Sequence, residues 1–399
     1  MNPRLSRSPL RRRHRGLSLV ELMVGLAIGA LLTIGLIQVF AASRATSQMQ
    51  EGLSRVQENG RFATQYLQRQ MRMVGYMGCG ADVGRVAQAS FVNHLAMFDG
   101  SVPGGSAYRF QRPLEGFTNG SMTLPAEFTG ITGMVTNSDV LVLRVFSEES
   151  VPVLSIARSA MQLDVTLTDG SADFLPPDGS AALFALENCR SADVFAGTLA
   201  AGVVGVAGNA SPNVYLDPSV SSCGNSACPW DFRISNATLN SRPIVGGPPR
   251  LNAEMHRAEY LAVFVKNDSN GVPGLYVRRF ERDSTALADD PEQLVDGVEN
   301  MQLRYGYDTS ASPDGTIDEY RTAEEVVAGV TGDQALDDAW RRVLSVQVAM
   351  LMRSPERAAV SGDARTYDLL GVTLTPATDG SMRQVYETTI ALRNRLFTI

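Results

Sequence analysis

Asp308, Asp314 and Asp318, with Glu319 beside them, surround Gly315 in the run DTSASPDGTIDE. Carboxylates spaced around a glycine turn are a donor set for a hard cation such as calcium, which takes about six to eight oxygens. Ser and Pro stand at several of the intervening places, so the acidic donors fall short of that number. The same residues also read as a solvated acidic turn ahead of a strand. Four cysteines offer a second chemistry: Cys79, Cys189, Cys223 and Cys228. Four thiols allow three pairings. Cys223 and Cys228, in CGNSAC, are close enough to close a tight loop, which leaves Cys79 for Cys189. No second C-x2–4-C pair exists, and His94 and His256 are isolated in sequence, so spacing argues against zinc. The last candidate is Glu21, a carboxylate inside an otherwise apolar run.

Several activities lack their residues. There is no G-x-S-x-G elbow and no P-loop, and the single lysine, Lys266, falls in a turn, which excludes nucleotide hydrolysis. Neither histidine has an evident acidic or thiol neighbour in sequence, so we expect no catalytic site and no cofactor beyond calcium. The net charge of −7 over 399 residues hides an asymmetry. Residues 1–16 carry six arginines and no acid, and removing that +6 leaves −13 on the remainder. A body this acidic lacks the basic footprint that nucleic-acid binding by the main domain requires.

The elements that position these residues begin with an apolar span. Residues 17–42 are broken only by Ser18, Glu21, Thr33 and Gln38. The length exceeds the about 20 residues needed to cross a membrane. Arginines before it place the N-terminus in the cytoplasm, so the chain after about residue 43 is exported. A cleaved secretory signal, with Ala41-Ala42-Ser43 near the cut, is the alternative. Its apolar region would be shorter, about 7–15 residues. It would also hold no acid: a carboxylate at mid-membrane costs roughly 2.5–3.5 kcal/mol, so Glu21 needs a purpose.

Gly16 followed by Leu17-Ser18-Leu19-Val20-Glu21-Leu22, after an arginine-rich leader, resembles the prepilin signature of type IV pilins and type II secretion pseudopilins. The resemblance implies that a prepilin peptidase cuts between Gly16 and Leu17 and that Leu17 becomes N-methylated. It also implies that the Glu21 carboxylate pairs with the N-terminal amine of a neighbouring subunit during assembly. A charge in lipid is stabilised by a partner of opposite sign, and the cut creates one.

Beyond the span, Met49, Leu53, Val56, Gly60, Ala63, Leu67, Met71 and Val74 recur three and four apart, the stripe of an amphipathic helix. No proline interrupts residues 17–76, so one helix is expected, with Gly52 and Gly60 as soft points and the GYMGCG cluster as its end. Glu58-Asn59-Gly60-Arg61-Phe62-Ala63 and Met71 to Cys79 resemble the PilW-type minor pilins of type IV pilus assembly. Asn188 to Phe195, Gly271 to Arg278, Leu294 to Gln302 and Thr388 to Arg395 are similar to the same family. Members carry a tighter Asp-x-Asp-Gly-Asp-Gly run near residue 308, from which this chain departs.

From about residue 80 the pattern turns to short β-rich runs. Strands are expected at 140–146, 163–167, 260–265, 275–280, 343–352 and 385–392, with a hairpin turn at Asn267–Gly271. Residues 200–250, rich in Gly, Pro, Ser and Asn, read as a surface insertion. The expectation is an α+β, pilin-like fold in which a long N-terminal helix packs on an antiparallel β-sheet head. Its parts are a removed leader (1–16), a transmembrane half-helix (17–42), an amphipathic half-helix (43–78) and a periplasmic head (79–399). The resemblance implies a non-enzymatic minor pilin of the inner membrane, and of the pilus after assembly. Its partners would be prepilin peptidase, the major pilin and other minor pilins, the pilins met through the helix. The rivals are a type II secretion minor pseudopilin and a membrane-anchored, calcium-dependent adhesin.

Overall fold

The computed structural model describes residues 18–77, 80–81, 91–95, 105–159, 162–167, 181–188, 191–204, 210–216, 253–281, 286–357 and 365–395. Helix α1 (Leu19–Arg72) is continuous over 54 residues, about 80 Å at 1.5 Å per residue. Arg69 and Arg72 occupy its last turn, where cations suit the helix dipole. Gly75, at φ 75°, then turns the chain away.

The two halves of α1 differ in what they touch. Every described residue from Ser18 to Arg44 is exposed, including Leu31 and Leu36 at 70%. In the second half Gly52, Val56, Gly60, Ala63, Leu67 and Met71 are buried, at spacings of three and four. The expected stripe is corrected at its start. Leu53 is exposed and Gly52 is buried, because Gly52 falls one turn before Val56 on the docked face and Leu53 is rotated about 100° away from it.

The head is built on twelve longer strands, β1 (Leu114–Thr118), β2 (Asp139–Ser159), β3 (Gln162–Leu167), β4 (Ala181–Glu187), β5 (Ala192–Val204), β6 (Ala210–Leu216), β7 (Glu254–Asn267), β8 (Pro273–Arg279), β9 (Glu292–Asp296), β10 (Val298–Tyr307), β11 (Val343–Arg357) and β12 (Ser381–Ala391). The large sheet runs β9-β8-β7-β4-β5-β6-β3-β2-β1, with Phe91–Asn93 added parallel to β5. Because β7 also pairs with β2, the pairings β2-β3-β6-β5-β4-β7 form a closed antiparallel circuit. Closure leaves those strands few open edges. A second sheet joins Glu319–Arg321, β10, β11 and β12. Short helices α2 (Ala323–Val327) and α3 (Asp333–Arg341) lie between β10 and β11 in the chain.

Alternation along β2 and β7 sorts the core into two layers. Leu141, Leu143, Val145, Leu261, Val263 and Val265 join the α1 stripe, Trp340 and the second sheet in one cluster. Val140, Val142, Phe146, Tyr260, Ala262 and Phe264 face a second, aromatic cluster with Phe110, Phe117 and Phe128. A strand buried on both faces reads as a continuous apolar run, which residues 260–265 show and residues 140–146 show apart from Arg144.

The expected hairpin is present. Asp268 accepts from the N–H groups of Asn270 (2.8 Å) and Val272 (2.7 Å), and Gly271 takes φ 78°. Strand β2 continues well past 146, since it pairs first with β1 and β7 and then with β3, through a bulge near Val153. Part of the expected insertion is also corrected: residues 200–204 and 210–216 are strand, belonging to β5 and β6 in the closed circuit. Residues 217–252 lie outside the described residues.

Candidate assembly helix and polar clusters

Ser18 is the N-cap of α1 and forms a reciprocal capping box with Glu21. The Ser18 hydroxyl accepts from the Glu21 N–H at 3.2 Å, and Glu21 Oε2 accepts from the Ser18 N–H at 3.4 Å. Two backbone donors that a helix start leaves unpaired are thereby satisfied. Sequence reading assigned Glu21 only to contacts between subunits and missed this local role, although S-x-x-E is its ordinary signature. Gly16 and Leu17 lie outside the described residues. The Thr33 hydroxyl donates to the Gly29 carbonyl at 2.7 Å, so it too presents no unpaired donor along the apolar half.

At the acidic loop, Asp308 is fully buried rather than solvated. Its carboxylate accepts from the N–H groups of Ser310 (3.1 Å), Asp314 (2.9 Å) and Gly315 (2.9 Å). Burial alone would raise its pKa, but those N–H groups outweigh it and hold the acid below its usual range. Asp314 Oδ1 accepts from the Thr316 N–H, and Asp318 Oδ2 accepts from both the N–H and the hydroxyl of Thr309. The three acids fasten the loop from within, and they are not drawn together into a cluster of cation-ligand spacing.

Both head histidines are buried, and both meet carboxylates distant in sequence. His94 Nε2 is 2.9 Å from Asp193 Oδ1, and His256 Nε2 is 3.8 Å from Glu187 Oε1. Their isolation in sequence is undone by register, since Asp193 lies on β5 beside residues 91–93 and Glu187 lies opposite β7. Cys79, Cys189, Cys223 and Cys228, and therefore both expected disulfides, lie outside the described residues.

Two further polar clusters had no local signal. Arg144, 2% exposed, donates to Glu115 Oε2 (3.0 Å) and to the carbonyls of Ser106 and Arg112. Arg112 in turn contacts Glu115 and donates to Asp337 Oδ1 at 2.9 Å, fixing α3 to the large sheet. On the second sheet Arg383 makes paired bonds to Glu299 (2.7 and 2.8 Å) and to Asp379 (2.9 and 2.9 Å). A cleft of about 470 Å³ lies where the end of α1 meets β2, β7 and β8. Arg69, Arg257 and Arg279 line it together with Glu148, Glu149, Glu259 and Glu281, so it presents no field of one sign.

The geometry is thus a bare apolar half-helix, capped by Ser18 and Glu21, carried on a two-layered β head. Residues 11–37 match the family model of the prokaryotic N-terminal methylation motif, and residues 262–394 match that of the type IV pilus-assembly protein W. Over these two segments the chain is similar to PilW-type pilus-assembly proteins and to prepilins. No curated protein matches it, and no solved structure does. The PilW match begins within β7 and covers the β7–β8 hairpin, both short helices and β10 to β12. It contains Arg383, Glu299 and Asp379 as well as the Asp308 loop. The methylation motif contains Gly16, Leu17 and Glu21. Joined to a helix long and apolar enough to cross a membrane, that motif points to membrane anchoring, and the pilus-assembly family to other pilus components as partners.

Proposed function

We propose that this chain is a minor pilin of type IV pilus biogenesis, cut by prepilin peptidase between Gly16 and Leu17, methylated on Leu17, and built into an initiation or tip complex. The observation that carries the reading is the division of α1. Its docked half holds the head, while the half from Ser18 to Arg44 is exposed, without a packing partner among the described residues, and is apolar enough for lipid. In a single continuous helix, both halves move as one rod, so a membrane-resident subunit can pass into a helical bundle without refolding its head. Glu21 supplies the one acid of the apolar stretch, and a neighbour's freshly cut amine is the charge of opposite sign that would stabilise it.

In this reading the arginine-rich leader stays in the cytoplasm, the head is periplasmic and the role is mechanical rather than catalytic. The leader chemistry is shared with type II secretion pseudopilins; the match of residues 262–394 favours the pilus. Co-expression with prepilin peptidase followed by N-terminal mass analysis tests the processing. The mature chain is expected to start at a methylated Leu17, and Gly16→Leu is expected to block the cut. A mature end after residue 42 would overturn the proposal.

A further inference from the structure

Glu187 of β4 and Glu254 of β7 are direct register partners. Two like charges directly opposed across an antiparallel pair repel, and a cation held between them would relieve that repulsion. His256 is two residues along β7 from Glu254 and so projects from the same face. One ligand-capable atom from each of the three lies within 4.8 Å of the others.

The imidazole is prepared in a specific way. His256 is fully buried, and its Nδ1 is 2.9 Å from the Ser147 carbonyl. A carbonyl only accepts, so Nδ1 carries the hydrogen and the lone pair of the neutral ring lies on Nε2. That Nε2 has no hydrogen-bond partner, and at 3.8 Å the Glu187 oxygen is beyond hydrogen-bond reach. The ring is held by Phe146, stacked at 6.2 Å, and by Tyr76, edge-on at 5.8 Å. A histidine whose remote nitrogen donates to a backbone carbonyl, while the other aims a lone pair at carboxylates, has the tautomer and orientation of a metal ligand. Glu254 is half-exposed, which gives an entry path. Its Oε2 accepts from the Ser150 hydroxyl at 2.6 Å, an outer contact that orients the carboxylate.

We propose that Glu187, Glu254 and His256 bind a divalent transition-metal cation of the zinc class. The imidazole Nε2 and one oxygen of each glutamate would be the protein ligands, with water completing the shell. One nitrogen and two carboxylates favour such an ion over calcium or magnesium, which prefer all-oxygen shells. The ion joins β4 to β7 beside the Ser147–Ser150 segment of β2, next to the Tyr76 segment that follows α1. Its role there is to clamp the junction between helix and head. The inference does not depend on the pilus role.

The test uses the full chain in detergent, stripped with chelator and with its thiols alkylated so that cysteine cannot bind metal. Titration with Zn2+ is expected to show one equivalent bound and a higher melting temperature, with neither effect from Ca2+ or Mg2+. Co2+ in place of Zn2+ is expected to give visible absorption that His256→Gln abolishes. Glu254→Gln, at the exposed edge of the cluster, is expected to weaken Zn2+ binding by about tenfold or more while the metal-free protein melts no lower than the metal-free wild type. Absence of stoichiometric Zn2+ binding by the alkylated wild type would overturn the site. So would equal binding by wild type, Glu254→Gln and His256→Gln.

Discussion

Gly60 of α1 lies against the ring of Tyr386 of β12, so close that a methyl group on its Cα would stand 2.5 Å from the ring's Cε2 and Cζ. In sequence Gly60 looks like a weak point of the helix. In the fold helix and second sheet approach so closely here that only the missing side chain permits it.

Gly60→Ala therefore sets two effects against each other. Helix propensity favours alanine by about 1 kcal/mol, while overpacking the interface costs about 1–3 kcal/mol. We expect the second to win, lowering the melting temperature of the detergent-solubilised protein, with Gly60→Val worse. Tyr386→Leu, which removes the hydroxyphenyl ring, should make Gly60→Ala less harmful. An alanine variant that melts above wild type, with no interaction with Tyr386→Leu, would remove the close approach from the account.

Arg383 holds Glu299 and Asp379 with paired bonds on both sides, at 6% side-chain exposure. Lysine cannot reproduce that fork, so Arg383→Lys and Arg383→Met should each destabilise by about 3 kcal/mol. Burial opposes ionisation of Asp379, but Arg383 and the Ser381 N–H prevail and bring its pKa down to about 2. A depressed acid stabilises the fold above its unfolded pKa and loses that contribution as pH falls through its folded one. The gap between wild type and Arg383→Met should accordingly narrow between pH 4 and pH 2 in urea titrations. A gap independent of pH would show that Asp379 takes no part.

Asp139 works in the opposite direction. Burial pushes its pKa up to about 6, although the Thr118 hydroxyl (2.6 Å) and the Leu303 N–H (2.7 Å) both donate to it. Since the folded value lies above the unfolded one, its contribution is complete below about pH 3.8 and is lost as pH rises through 6. Asp139→Asn cannot ionise, so relative to wild type it should gain roughly 2 kcal/mol of unfolding free energy between pH 4 and pH 7. Parallel stability profiles for the two proteins would show that the buried carboxyl does not titrate there.

What the sequence reveals and what it hides divide by distance along the chain. The stripe from Val56 to Val74, the Asn267–Gly271 turn and the apolar span are written in neighbouring residues, so period and turn chemistry expose them. Strand β2 outruns its apolar core because β3 and β7 extend it, and no feature within residues 147–159 announces those partners. Glu187 and His256 are 69 positions apart, and Glu299 and Arg383 are 84; only register brings each pair together. Leu53 misleads for a local reason, being apolar yet off the docked face, while the buried Gly52 carries no hydropathy signal. In the acidic loop, the acids that suggest a cation by composition also accept the loop's own N–H groups, a use that composition does not announce.

The double use of Glu21 leads to the last prediction. Its carboxylate caps α1 with Ser18, and the proposed assembly role needs its charge near a neighbour's amine. Substitutions can separate the two. Gln retains the capping-box geometry, because its amide oxygen can still accept from the Ser18 N–H, but it carries no charge. Ser18→Ala keeps the charge and removes one cap bond, a loss of about 1 kcal/mol within a 54-residue helix whose second half is docked. If the charge matters for assembly, Glu21→Gln should be processed, remain in the membrane and disappear from sheared pili, whereas Ser18→Ala should enter pili nearly as wild type does. Immunoblots of sheared and membrane fractions make the comparison. Membrane insertion should not distinguish the variants, since the apolar length is the same and neutralising Glu21 only lowers the cost of burial. Should Ser18→Ala fail to enter pili while Glu21→Gln succeeds, the capping box would be the function of Glu21 and the intersubunit pairing would have to be abandoned.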